Sequence, residues 1–191
     1  KKKVLVFAED VAASGGYLIA CAGDEIYANS SSIVGSIGVI SASFGFQNAI
    51  KKLGVERRVY TAGKNKSTLD PFKEENEEDI QRLKKIQLEL HSDFIKVVKD
   101  SRGPKLIDTE KNNTFTGEFW SGSTSLKIGL IDGIGNADQI LKEKFGEDVI
   151  IKKLEKPKGF FAKKLSASFD NQVDNIANIL EERAQWQKFG L

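Results

Sequence analysis

The chain reads as an α/β protein, on three observations. Short apolar runs bounded by charge alternate with helical patterns over the first 60 residues, a single long helical pattern follows, and a shorter strand–helix alternation closes the main body. Such a βαβ rhythm is the signature of a sheet packed against helices. At 191 residues, 40% hydrophobic and 29% charged, the composition is that of a globular chain with a substantial core. The expected organisation is a main domain over residues 1–157 and an amphipathic helical tail over 158–191.

In chain order, Val4–Ala8 is an apolar strand behind the solvated Lys1-Lys2-Lys3. Ser14–Ala22 is a helix, Glu25–Ala28 a strand, and Ile37–Ser41 another strand. Phe46–Leu53 is a helix closed by Gly54, and Arg57–Thr61 a further strand. After a loop over 62–72, Ile80, Leu83, Leu90, Phe94 and Val97 recur at helical spacings. They predict a helix from about Glu74 to Ser101, with acidic residues at the positive end of its dipole and Arg102-Gly103-Pro104 as its stop. A turn at 115–122 leads into a short helix, Ser123–Ile128; a brief strand, Gly129–Asp132, follows. Ala137–Phe145 is a helix and Val149–Leu154 a strand, before Lys156-Pro157-Lys158-Gly159 marks a boundary.

Several function classes are excluded or weakened. A net charge of +2 without a basic stripe does not suit nucleic acid. The single Cys21 excludes an internal disulfide, and one Cys with one His is a poor basis for a metal site. No cofactor motif is found. Ala62-Gly63-Lys64-Asn65-Lys66-Ser67-Thr68 fails as a phosphate loop, because Arg58 stands where the first glycine is required and Asn65 follows Lys64. No run is long and apolar enough for a membrane span. Any histidine-dependent nucleophile would have to use His91, which lies in the long helical pattern and reads as structural.

Two features point to chemistry. Ala13-Ser14-Gly15-Gly16-Tyr17 places a small hydroxyl at a strand-to-helix turn, followed by two residues without side chains. It reads either as a Ser helix cap or as a nucleophile whose neighbour, Gly15, offers its N–H to an oxyanion. Lys66 lies in the neutral stretch Asn65 to Leu69 and is a candidate base. A lysine acting as a base must be brought from near 10.4 to roughly 7–8, on the order of 4 kcal/mol, by burial without a carboxylate partner.

Taken in order, Ala13-Ser14-Gly15-Gly16-Tyr17, Gly35-Ser36-Ile37-Gly38-Val39, Lys66-Ser67-x-x-Asp70-Pro71-Phe72, Thr116-Gly117-Glu118-Phe119-Trp120-Ser121-Gly122 and Leu126-x-x-Gly129-Leu130-Ile131-Asp132 resemble the signal peptide peptidase A (protease IV) family over residues 4–154. The resemblance implies a Ser/Lys-dyad serine peptidase on a Clp- and crotonase-like fold of ββα type, with a long helical insertion and the N-terminal part of the fold missing from this chain. It implies Ser14 as nucleophile, Lys66 as general base with Lys64 as the nearby competitor, Ser36 positioning the lysine, and Gly15 donating to the oxyanion. Implied substrates are peptides, namely signal-peptide remnants or small hydrophobic membrane-derived segments. Also implied are a ring-like homo-oligomer, in which serine and lysine can come from adjacent copies, and a bacterial membrane-associated setting on the outer side, through a segment outside this chain. The alternatives are an acyl-CoA hydratase or isomerase of the crotonase class and a non-catalytic scaffold homologue.

Overall fold

The computed structural model describes residues 2–152 and 154, and the chain divides into compact units at 1–149 and 150–191. The main unit opens with two ββα segments. Strand β1 (Leu5–Ala8) and strand β2 (Val11–Ala13) lead into helix α1 (Gly15–Ala20). Strands β3 (Glu25–Ala28) and β4 (Ile33–Gly35) lead on to helix α2 (Gln47–Lys52). The long helix α3 (Glu77–Arg102) and a 3₁₀ turn at Gly103–Lys105 follow. Strand β5 (Phe119–Ser121), helix α4 (Gly122–Lys127), strand β6 (Gly133–Ile134) and helix α5 (Ala137–Phe145) complete it.

The strands form two small sheets, and each ββα segment contributes one strand to each. The first sheet has the order β1-β3-β6, all parallel, with Val6 opposite Ile26. The second has the order β2-β4-β5, with β2 and β4 parallel and β5 antiparallel. The chain therefore changes sheet at Glu9-Asp10 and again over residues 29–32. Ser32, 1% exposed, secures both crossings. Its hydroxyl accepts the Asn29 N–H at 3.0 Å and faces the Ala8 and Glu9 carbonyls at 2.9 and 2.7 Å. A buried hydroxyl there answers main-chain groups that no ladder reaches.

The core is built mostly of small and β-branched residues from both sheets (Ala8, Ala12, Ile26, Ala28, Val34), capped by Phe94 and Val98 of α3 and by Leu130 and Ile131. The buried residues of α3 lie in its C-terminal part; Ile86, Leu88 and Leu90, which precede them, are exposed. The helix starts at Glu77 rather than Glu74, because the Asn76 side chain caps it by accepting the Glu78 N–H at 2.8 Å. At α2 the chain ends as expected. Gly54 has φ +67, and the Val55 and Gly54 N–H groups return to the Ile50 and Lys51 carbonyls, a Schellman arrangement.

Three expected strands are not formed. Residues 37–41 and 57–61 have strand-like composition but no neighbouring strand to complete a ladder, and Ile40 and Tyr60 are 88% and 90% exposed. Residues 149–152 and 154 are likewise irregular, with Lys153 outside the described residues. The strand expected at 129–132 forms immediately downstream, at β6, while Leu130 and Ile131 enter the core. The boundary at 156–159 and the tail at 158–191 lie outside the described residues.

Candidate active site

Ser14 occupies the single residue between β2 and α1, and its backbone is bent to make that connection. Its φ of +50 and ψ of −122 are values that favour glycine. The residue is half-buried, and its side chain makes no cap hydrogen bond to the helix it precedes. Of the two readings of this residue, the side-chain helix cap is not formed. A strained hydroxyl at a sharp strand-to-helix turn is the geometry of a nucleophile elbow. Gly15 and Gly16 beside it are exposed, and a Cβ at either would meet only open space. Among the described residues the Gly15 N–H has no backbone acceptor.

The turn is fixed from both sides. The Ser14 N–H donates to the Gly35 carbonyl at 2.8 Å, which continues the pairing of Ala13 with Gly35. On the helix side, the Leu18 N–H returns to the Ser14 carbonyl at 3.0 Å. Tyr17, fully buried, anchors the first helical turn by donating its hydroxyl to the Leu130 carbonyl at 2.7 Å. Burial pushes this phenol far above the ordinary tyrosine range, so it remains a donor.

The same pairing brings Ser36 next to the Ser14 turn. Gly35 has φ +110 and Ser36 φ +52, two successive left-handed residues at the end of β4. Gly35 is required there: a Cβ would lie 2.8 Å from the Trp120 ring. The Ser36 N–H donates to the Glu118 carbonyl at 2.7 Å, so the segment Glu118-Phe119-Trp120 supports the turn from β5. His91, from α3, reaches the Ile37 carbonyl with Nε2 at 3.1 Å.

Lys66 sits in a turn-rich loop at 63–69 with its side chain exposed. Among the described residues no hydrogen bond joins it to Ser14 or Ser36, and no carboxylate lies within 4.0 Å of its ammonium group. Its loop is tied down by the residues that follow it. Asp70 accepts the Phe72 N–H at 3.1 Å and the Arg57 guanidinium at 3.0 Å, and these hold its carboxyl below the usual range. Arg57 also lies over the Phe72 ring, 4.9 Å from its centroid, and the Phe46 N–H donates to the Pro71 carbonyl at 2.6 Å. A cavity of about 390 Å³ opens on this loop between Lys64, Ser67, Asp70 and Arg82. Neither Ser14 nor Lys66 lines it.

Behind α1 is a polar knot. Arg102, 2% exposed, donates to the Gly129 carbonyl at 3.0 Å and to Asp132 at 2.7 Å. Asp132 also takes Lys105 at 2.6 Å and the Ile26 N–H at 2.8 Å. Burial alone would raise the Asp132 carboxyl; these donors, Arg102 foremost, more than offset it and hold it at about 2. Burial also pushes the Cys21 thiol up, away from its thiolate form. Among the described residues no three His, Cys, Asp or Glu side chains are grouped to hold a metal ion.

The sequence singles out Ser14, Ser36 and the lysine loop and reads His91 as structural. It does not announce the contacts of Arg57 with Asp70, of His91 with the Ile37 carbonyl or of the Glu118 carbonyl with Ser36. Arg57 lay in an expected strand, and His91 gave only a helical spacing, so neither carried a local signal of its partner.

Residues 1–148 match the sequence profile of peptidase family S49. A protein of Brucella abortus named Na(+)/H(+) antiporter NhaA is 51% identical over 203 aligned positions, taking in 100% of this chain and 27% of that protein. A putative protease, MJ0651, of Methanocaldococcus jannaschii is 36% identical over 75% of this chain and 45% of its own length. The probable protease SohB of Haemophilus influenzae is 31% identical over 91% of this chain and 48% of its own length. The chain thus spans about half or less of the curated relatives it matches.

Proposed function

The chain belongs to peptidase family S49, and from that membership we propose that it is a serine endopeptidase working through Ser14 and Lys66. The observation that carries this reading is the Ser14 turn: a hydroxyl held at φ +50, not used for capping, beside an open Gly15 N–H. In the proposed mechanism neutral Lys66 takes the Ser14 proton as the hydroxyl attacks a peptide carbonyl. The Gly15 N–H and a second donor hold the oxyanion, and the lysine ammonium then protonates the leaving amine. Water resolves the acyl-enzyme by the reverse sequence. In this reading Ser36, whose neighbour Gly35 accepts the Ser14 N–H through its carbonyl, orients the lysine amine.

An exposed lysine is a poor base, so Lys66 needs a surface to cover it. A second copy of the chain is the covering surface we propose, with the dyad shared between copies in a ring-like homo-oligomer. That no hydrogen bond joins Ser14 to Lys66 within one copy, among the described residues, and that the Lys66 side chain is exposed, favours this arrangement. The ββα segments that split between two sheets support the Clp- and crotonase-like assignment. Exposed Leu18, Ile19, Val39 and Ile40, flanking the Ser14 and Ser36 turns, suit apolar peptides such as signal-peptide remnants. The protease names of the archaeal and Haemophilus relatives agree with this reading. The protein with the antiporter name is matched over 27% of its length, and among the described residues no helix is long and apolar enough to cross a membrane. Membrane association on the outer side is part of this proposal.

The test is cleavage of an apolar fluorogenic peptide. Ser14→Ala and Lys66→Ala should each fall to background, and mixing the two inactive variants should restore activity if the dyad is shared. Wild-type cleavage at the Ser14→Ala level would end the proposal and favour a scaffold homologue.

A further inference from the structure

The one histidine of the chain is placed to govern the turn that supports Ser14. His91 lies one helical turn before Phe94 and two before Val98, on the face of α3 that enters the core. It is half-buried, whereas Leu88 and Leu90 beside it are exposed. Its Nε2 is 3.1 Å from the Ile37 carbonyl. A carbonyl only accepts, so the ring carries its proton on Nε2.

That carbonyl is a consequential one. Strand β4 ends at Gly35, so residues 36–38 have left the ladder and their polar groups need other partners. Two successive residues there hold positive φ, and the second, Ser36, is not glycine. Such a backbone persists only where its surroundings over-determine it. The Glu118 carbonyl fixes the Ser36 N–H, the Ile37 side chain is fully buried, and the Gly35 carbonyl accepts the Ser14 N–H. Among the described residues, His91 makes the single side-chain hydrogen bond to the backbone of residues 35–38. It therefore joins α3 to the segment that carries Ser36 and holds the Ser14 turn.

We propose that His91 is a positioning residue of the peptidase site: its Nε2–H, bonded to the Ile37 carbonyl, keeps the 35–38 turn in the shape that orients Ser36 and Ser14. This rests on the Ser14 reading above. His91 makes no hydrogen bond to Ser14 among the described residues, so acting through the turn its effect falls on kcat and the acylation rate, with KM unchanged. Losing one hydrogen bond of this kind corresponds to about tenfold.

The experiment compares wild type, His91→Phe and His91→Gln in the full chain, the amide of Gln being able to donate from nearly the same place. In His91→Phe the Ser14 and Ser36 amides should exchange with deuterium about tenfold faster, and phosphonylation of Ser14 should slow about tenfold. His91→Gln should restore both to within about threefold. Unchanged exchange and labelling in His91→Phe would overturn the proposal. So would a His91→Gln variant as slow as His91→Phe with the same loss of melting temperature, which is the mark of a merely structural role. Should wild type itself fail to label, the Ser14 reading falls, while amide exchange still decides whether His91 holds the turn.

Discussion

Replacing Asp132 by Asn probes the polar knot on which α1 rests, and its cost can be worked out in two ways. The carboxyl is held at about 2 against an ordinary 3.8, a difference of nearly two units and so about 2 kcal/mol at neutral pH. Removing one partner of a buried ion pair instead costs roughly 3–5 kcal/mol. The second figure governs the Asn variant. The Arg102 side chain is 1% exposed and its Nη2 already lacks a partner among the described residues, so a neutral amide strands its charge. The pKa route counts only the proton equilibrium and misses that desolvated cation. At roughly 2–4 °C per kcal/mol for a unit of this size, Asp132→Asn should melt about 10 °C lower. Thermal and urea unfolding followed by circular dichroism measure it. The double variant Arg102→Met/Asp132→Asn removes the stranded charge and should regain much of the loss. A single-variant loss below about 1 kcal/mol, or no recovery in the double variant, would refute the reasoning.

Acid should destabilise the chain in a defined window. Asp132 titrates at about 2 when folded and nearer 3.8 when unfolded, so the unfolded chain takes up protons first as pH falls. Glu25, held to about 2 by Lys144, Lys3 and Tyr27 against 4.5, acts in the same direction. Their contribution is complete above about pH 5 and lost towards pH 2; the urea midpoint should fall between those values, less steeply in Asp132→Asn, and an equal slope in both contradicts the assignment. Ser14→Gly should abolish peptidase activity yet raise stability by about 1 kcal/mol, by releasing the backbone held at φ +50. Lower stability in denaturant would show that the turn is not strained. Gly129→Ala should cost on the order of 3 kcal/mol, because φ is +83 and the new Cβ would lie 1.8 Å from the Lys105 carbonyl oxygen. An urea midpoint close to wild type would contradict this.

What could be read from the sequence followed from how local each feature is. Strand β3 and helix α5 form over the expected residues, and Gly54 closes α2, because periodicity and capping are written in adjacent positions. Strands β2, β4 and β5 are three residues each and exist only through their pairing, so no periodicity announces them. Conversely, Ile37–Ser41 and Arg57–Thr61 have strand-like residues but no partner. The site divides the same way. Ser14 was visible as a small hydroxyl before two glycines, and the Asp70-Pro71-Phe72 anchor of the lysine loop as a motif. The contact of His91 with Ile37 spans 54 positions and depends on where α3 meets the core. No local pattern encodes a pairing of Ser14 with Lys66, and among the described residues no hydrogen bond joins them within one copy.

The central claim is that Ser14 is a nucleophile activated by Lys66. The most direct measurement treats the chain with a fluorophosphonate and locates the adduct by intact mass and peptide mapping. The account predicts one adduct, on Ser14, absent from Ser14→Ala and strongly slowed in Lys66→Ala. An adduct elsewhere, or one that forms equally fast without Lys66, would contradict it.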